Sequence, residues 1–190
     1  DEKKELLAKA KTAQAAAEER VPDLYRAVVK GNPGSLATVS AALYLLDRAA
    51  DLGIAFQLAN IARDIVDDAR VGRLYLPAEW LYQEGLTSAD MAQPQHRHAL
   101  AHIANRLARL AHDYRRSSRT GAARLPFRSR WAVLSAAGIY GEIANKAASL
   151  GPRAWDARVT TSKSEKLALV LEAFGEAMVP VRPTLRDGLW

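Results

Sequence analysis

Three aspartates stand close together in the stretch NIARDIVDDAR, at Asp64, Asp67 and Asp68. Asp64 and Asp68 are four residues apart, so on a helix their side chains lie one turn apart on the same face. Two carboxylates in that arrangement repel each other, and the repulsion grows when the groups leave water. A divalent cation removes this cost, and Mg²⁺ takes oxygen ligands from carboxylates, water and phosphates. The spacing therefore indicates half of a site for Mg²⁺, with Mn²⁺ as the alternative ion, and a diphosphate.

Polar side chains extend the acidic face toward the start of the same helix. Gln57 and Asn60 precede Asp64 at steps of three and four residues, so they continue one stripe. The residues around them are mostly apolar, including Ile54, Phe56, Leu58 and Ile61. A polar stripe inside an apolar helix is typical of a lined cavity or cleft rather than of a solvated surface.

Arginines flank the stripe. Arg63 lies within the helix and Arg73 follows it, and a guanidinium fork matches the oxygens of a phosphate. The competing interpretation is an acidic helix end that faces solvent, with Arg70 and Arg73 as its counter-charges. The apolar surroundings of Gln57 and Asn60 favour the site, because they leave little surface for solvent.

The segment LGIAFQLANIARDIVDDARVGRLYLPAEWL, residues 52–81, resembles the second aspartate-rich motif of the phytoene synthase and squalene synthase family. These are head-to-head prenyl synthases, and the likeness is closest to the bacterial phytoene synthases. Weaker likeness continues through IYGEI and AWDARVTTSKSEK and covers about residues 46–190. The resemblance implies the all-α isoprenoid synthase fold and the condensation of two geranylgeranyl diphosphates through a cyclopropyl diphosphate, a step of carotenoid biosynthesis.

The same resemblance implies roles for particular side chains. Two carboxylates would hold Mg²⁺ that bridges a prenyl diphosphate: Asp64 and Asp68. Three side chains would contact the diphosphate or stabilise its charge as it leaves: Arg63, Arg73 and Tyr75. Three more would support the metal shell or line the substrate cavity: Gln57, Asn60 and Tyr140.

The chain also departs from the family's pattern. Family members carry two aspartate motifs on facing helices, and residues 1–45 contain no DDxxD. We therefore expect residues 1–45 to be a helical segment without family resemblance and residues 46–190 to be the C-terminal part of a synthase-like domain. Such a chain is expected to be incomplete and inactive alone. The alternative is a non-catalytic helical remnant that binds a partner, such as a full-length synthase, or lies on a membrane surface. Self-association is a further partner expectation.

The hydrophobic pattern predicts an all-α protein. Apolar residues recur at steps of three and four in the longest segment, and no strand-like alternation is visible. Helices are predicted at 2–20, 23–30, 36–70, 77–81, 98–120, 131–150 and 163–178. A dense turn signal separates the second and third helices, at Gly31-Asn32-Pro33-Gly34. Ser162 and Glu165 form a capping box at the start of the last helix.

Composition excludes several classes. The chain has no cysteine, so it has no disulfide, thiolate metal site or cysteine nucleophile. No apolar run approaches the roughly 20 residues of a membrane span, and the charged start DEKKELLAKAK is unlike a signal peptide. These features indicate a cytoplasmic protein, with peripheral contact at a membrane as an alternative.

The net charge of +6 is unevenly distributed. One stretch contains eight arginines: Arg106, Arg109, Arg115, Arg116, Arg119, Arg124, Arg128 and Arg130. It is interpreted either as a patch for an anionic partner or as an ordinary solvated helix face. Nucleic acid is not expected as a partner, because the stretch lacks interleaved aromatic residues and a recognisable binding motif.

Other conspicuous residues have ordinary structural interpretations. His98 and His102 have the spacing of a metal pair but no third ligand, so we expect an exposed helix start. Asp47 and Asp51 are expected at the surface. Three tryptophans are expected in the core or at its rim: Trp80, Trp131 and Trp155.

Overall fold

The structure is a computed structural model, and it describes residues 33–181 and residue 189, with side chains from Thr38 onward. The chain divides into two compact units, Asp1–Leu46 and Asp47–Trp190. The described part of the first unit is the start of one long helix, where Leu43 and Leu46 are exposed. The second unit contains every residue of the predicted site.

Five α-helices make up the described chain: α1 (Pro33–Arg70), α2 (Ala78–Gln83), α3 (Arg97–Ala122), α4 (Phe127–Leu150) and α5 (Lys163–Met178). Short 3₁₀ turns at Pro94–His96 and Gly151–Trp155 precede α3 and follow α4. No strand occurs among the described residues, and the all-α class is confirmed. The predicted helices at 2–20 and 23–30 lie outside the described residues.

The predicted helix boundaries agree with the structure to within a few residues. One difference lies at the turn signal, because α1 already includes Pro33 and Gly34. Proline fits the first turn of a helix, where its missing N–H has no intrahelical acceptor. The other end is as expected: α1 stops at Arg70, and Gly72 adopts a positive φ of 73°. The amide of Arg73 then donates to the carbonyl of Asp68 at 2.8 Å, which turns the chain back over the end of the helix.

The core joins α1 to the helices that follow it. Most of its large buried residues come from α1, α2, α3 and the segments between them, and they include Ile65, Leu81, Leu100 and Leu107. A second cluster consists of alanines from three helices: Ala59, Ala108, Ala111 and Ala144. Small side chains allow the backbones of α1, α3 and α4 to approach closely. The tryptophans pack as predicted, with Trp155 buried and Trp80 packed against the main cluster.

The expectation that Asp51 lies at the surface is wrong. Asp51 has no exposed surface, and the hydroxyl of Ser117 on α3 donates to its carboxylate at 2.5 Å. Arg48 is also buried, lies 3.8 Å from the same carboxylate and donates to Ser117. The helix face that carries Arg48 and Asp51 is turned toward α3, where Gly121 leaves room for the Cβ of Arg48. Asp47 is partly buried.

Membrane-spanning helices are absent from the part of the chain that the structure describes, since none there is both long and apolar enough.

Candidate functional site

Five of the predicted site residues lie together. They line a cleft of about 200 Å³ formed by Gln57, Asn60, Ile61, Asp64, Asp68 and Tyr75. The helical period places the first five on one face of α1, and the turn at Gly72 brings Tyr75 back to the end of that face. The prediction that the polar stripe faces a cleft is confirmed.

Asp64 is held by two arginines. The guanidinium of Arg63 donates to both of its oxygens, with Nε 2.9 Å from Oδ1 and Nη2 2.5 Å from Oδ2. Nη2 of Arg158, from the loop before α5, lies 3.6 Å from Oδ1. The hydrogen bond from Arg63 lowers the pKa of Asp64 below its ordinary value, and the same bond raises the pKa of Arg63. Both groups therefore remain charged over the whole physiological pH range.

The carboxylate of Asp68 differs from that of Asp64 in its contacts. Asp68 is partly buried, and its carboxylate makes no hydrogen bond or ion pair with the described residues. The repulsion expected between the two carboxylates is offset within the chain, because Arg63 neutralises Asp64 and also attracts Asp68. One carboxylate of the cleft is thus paired, while the other has both oxygens available.

The donor set of the cleft fits Mg²⁺. Carboxylates and side-chain amides supply hard oxygen ligands, and Mg²⁺ is commonly held by one or two carboxylates together with water and substrate phosphates. Asp64 and Asp68 meet that requirement, with Gln57 and Asn60 beside them. Among the described residues, no group of three or more acidic, histidine or cysteine side chains is placed to hold a metal ion.

Three predicted site residues are not part of the lining of this cleft. One is Arg63, which contacts the cleft only through its hydrogen bonds to Asp64. Arg73 is exposed and lines a separate groove of about 220 Å³ with Gly72, Ser88 and Met91. Tyr140 of α4 stacks on Phe56 of α1, with ring centroids 4.3 Å apart. It nevertheless lies near enough to Arg63 to affect its pKa.

Residues 25–165 match the family model for squalene/phytoene synthase. The chain belongs to the squalene/phytoene synthase family. The matched range begins at residue 25, upstream of the resemblance noted in the sequence.

Several phytoene synthases are similar in sequence to this chain. It is 53% identical over 133 residues to a 15-cis-phytoene synthase of Enterobacter agglomerans, covering 70% of this chain and 45% of the relative. It is 48% identical over 152 residues to a phytoene synthase of Pseudescherichia vulneris, covering 77% and 48%. A chloroplastic phytoene synthase of an Oncidium hybrid is 30% identical over 155 residues, covering 82% and 36%. The chain thus spans about half the length of the two bacterial relatives and about a third of the plant relative. No solved structure matches it significantly.

Arg158 lies beside the cleft and was left without a role by sequence reasoning. It lies 94 positions after Asp64 in the chain, so no local spacing connects the two. The contact arises because the loop between the 3₁₀ turn at Gly151–Trp155 and α5 passes the end of the acidic stripe. Arg158 also lines a neighbouring groove of about 560 Å³, together with Lys146 and Arg153. Arg158 therefore links the cleft to a groove that contains two further cations.

The arginine-rich stretch fits neither of its two interpretations as a whole. Several of its members hold the fold together. Arg106 stacks on Trp80 at 3.8 Å, Arg119 pairs with Glu176, and Arg130 donates to backbone carbonyls of the chain. These arginines connect helices, so they are not a continuous surface for an anionic partner.

The histidine pair is an exposed helix start, as expected. His98 and His102 are both exposed, and Nδ1 of His102 lies 3.1 Å from a carboxylate oxygen of Glu84. This contact ties α3 to the end of α2.

Proposed function

We propose that the cleft binds the diphosphate of a prenyl substrate together with Mg²⁺, with Mn²⁺ as a substitute. The chain would then be part of a phytoene synthase-like prenyltransferase that condenses two geranylgeranyl diphosphates in carotenoid biosynthesis. One observation carries the proposal: two carboxylates and two amides share one small cleft, and two arginines touch one of the carboxylates. Membership of the squalene/phytoene synthase family supports the choice of substrate.

The proposed binding step uses groups that are already charged and oriented. Asp64 and Asp68 would hold Mg²⁺, which when bound withdraws charge from the diphosphate as it leaves. Arg63 is held beside Asp64 by two hydrogen bonds and Arg158 lies 3.6 Å from the same carboxylate, so both cations are near the added negative charge. Tyr75 is exposed at the same cleft, where its hydroxyl can donate to a phosphate oxygen.

The reacting end of the substrate needs different surroundings. Loss of an allylic diphosphate leaves a carbocation, which water would destroy unless it is excluded. The stacked rings of Phe56 and Tyr140 supply a flat, electron-rich apolar surface next to the helix that carries the cleft. The negative face of an aromatic ring attracts a cation, so this pair is suited to line the prenyl pocket.

We further propose that these 190 residues do not complete the condensation alone. Two diphosphates must leave in turn, and each needs several cations around it. The Asp64 and Asp68 pair supplies ligands for only part of such a cluster. Incubation of the purified chain with geranylgeranyl diphosphate and Mg²⁺, followed by extraction, should yield neither phytoene nor the cyclopropyl intermediate. Clear turnover would show that a second acidic site exists.

Calorimetric titration with pyrophosphate tests the binding site directly. We expect binding that depends on Mg²⁺ and weakens by about tenfold or more, or ~1.4 kcal/mol, in Asp64→Ala and in Asp68→Ala. Asp67→Ala is the matched control, because Asp67 lies on the same turn but is exposed and paired with Arg70 at 3.1 Å. Its affinity should be unchanged.

Two results would reject the site. One is unaltered affinity in both cleft variants, and the other is an equal loss in Asp67→Ala. In the second case, pyrophosphate would be responding to overall charge and not to the cleft.

A further inference from the structure

Helix α5 carries a buried apolar face and, next to it, an exposed one. Ala173 and Ala177 are buried in a cluster with Ala122 and Leu134, so one face packs on the rest of the fold. The other face consists of four exposed side chains, which we call the α5 seam: Leu167, Leu171, Phe174 and Met178. The two leucines are 61% and 62% exposed and the methionine 67%. A helix with two apolar faces is typical of one that packs between two partners.

The shape of the seam identifies the kind of partner. Its residues follow one another at steps of four, three and four, the spacing of a and d positions in a heptad. At about 100° per residue they fall within an arc of about 60°, which is narrower than the stripe of a helix that lies in a membrane surface. On one side the seam is bordered by Ala168 and Gly175, whose small size allows another backbone to approach. This is the geometry of a helix that receives a second helix.

The spacing is the same in both directions along the helix. In an antiparallel copy, Leu167 therefore faces Met178 and Leu171 faces Phe174, so the seam is complementary to itself. Self-complementary patches form two-fold symmetric dimers, the commonest form of oligomer. We propose that two copies of this chain associate through antiparallel packing of their α5 seams.

Charge at the ends of α5 supports the antiparallel arrangement. Lys163 and Lys166 lie in the first turn of α5 and are exposed. Cations there are unfavourable with respect to their own helix, whose amino end carries the positive end of the dipole. An antiparallel copy places them beside the carboxyl end of the partner's helix, where a cation is stabilising.

The available area is sufficient for a stable contact. Phe127 of α4 lies against the seam, with its ring centroid 5.4 Å from that of Phe174, and Val179 follows the last turn. With these two residues, the exposed apolar side chains offer at most on the order of 600 Å² per copy. The total of about 1,200 Å² is at the lower end of specific interfaces.

The first experiment measures the mass of the full chain in solution by sedimentation equilibrium. We expect the wild-type chain to be a dimer at micromolar concentrations. In Leu171→Glu the dissociation constant of the dimer should rise about a hundredfold or more, because the introduced charges of both copies would meet near the two-fold axis. Tyr82→Glu is the control, since Tyr82 is an equally large exposed residue on α2. It should remain dimeric, and circular dichroism should show native helix content in both variants.

The second experiment tests register, and the absence of cysteine from the chain makes it unambiguous. Leu167→Cys and Met178→Cys chains are mixed and oxidised. Antiparallel packing predicts a mixed disulfide between the two, whereas parallel packing predicts disulfides between identical variants. Gel electrophoresis of chains of different tag length separates the products.

Several outcomes would overturn the proposal. They are a monomeric wild-type chain, a dimer unaffected by Leu171→Glu, and disulfides only between identical variants. If the wild-type chain is monomeric, binds anionic phospholipid vesicles and loses this binding in Leu171→Glu, the seam is a lipid-binding surface instead. None of these results bears on pyrophosphate binding at the cleft, so the two proposals are tested independently.

Discussion

Asp51 and Asp64 lie on the same helix and each is close to an arginine, but their surroundings differ. Asp51 is fully buried, its carboxylate accepts from Ser117, and Arg48 is buried beside it. Asp64 is 18% exposed and lines an open cleft. The first carboxylate fits a structural role, whereas the second can exchange contacts with a ligand.

The comparison shows why an acidic pair in a sequence is ambiguous. Asp47 and Asp51 have the same spacing as Asp64 and Asp68. What separates them is the element opposite each pair. Position 51 faces the tightly packed α3, and position 64 faces a loop that brings Arg158 and leaves a cleft.

The largest expected loss of stability follows from replacing Asp51, the buried carboxylate of this comparison. Asp51→Ala should lower the free energy of unfolding by about 3–5 kcal/mol, because it leaves Arg48 buried without that counter-charge. Urea denaturation followed by circular dichroism measures it. A loss below about 1 kcal/mol would mean that this carboxylate is not structural.

The packing beside Asp51 is expected to be the next most sensitive point. A Cβ on Gly121 would collide with the Cβ of Arg48, so Gly121→Ala should destabilise the protein by about 1–3 kcal/mol. Gly138→Ala on α4 is the control, because its Cβ would meet Leu169 only at 3.8 Å. Alanine is the better helix former there, so we expect a gain of up to about 1 kcal/mol. Equal effects in thermal unfolding would contradict the contact.

A third carboxylate sharpens the comparison, because Glu165 is paired at the surface. Lys146 and the amide of Ser162 bind it and lower its pKa from 4.5 to about 2. A depressed pKa stabilises the fold above the unfolded value, and this contribution is lost as pH falls through the folded value. Wild type and Glu165→Gln should therefore differ most above pH 4.5 and converge near pH 2. A difference in unfolding free energy that stays constant across this range would contradict the pairing of Glu165.

The smallest effect is expected at the exposed acidic residue next to the cleft. Asp67 and Arg70 are both about half exposed, so Asp67→Ala should change the free energy of unfolding by no more than about 0.5 kcal/mol. A larger loss in urea denaturation would show that this turn of α1 supports the fold and is not only the edge of the stripe.

Local features of the sequence determined the secondary structure and half of the site. The helical period, Gly72 and the capping box of Ser162 and Glu165 predict where helices begin and end, because these depend on residues a few positions apart. The same period predicts that Gln57, Asn60, Asp64 and Asp68 share a face.

Only the tertiary structure decided what that face meets. Arg158 reaches Asp64, Ser117 reaches Asp51, and Arg73 points into a different groove from the one expected. Each of these outcomes depends on which distant segment packs opposite a given helix face. The packing of the whole core determines which segments meet, and the spacing of residues within one helix does not encode it.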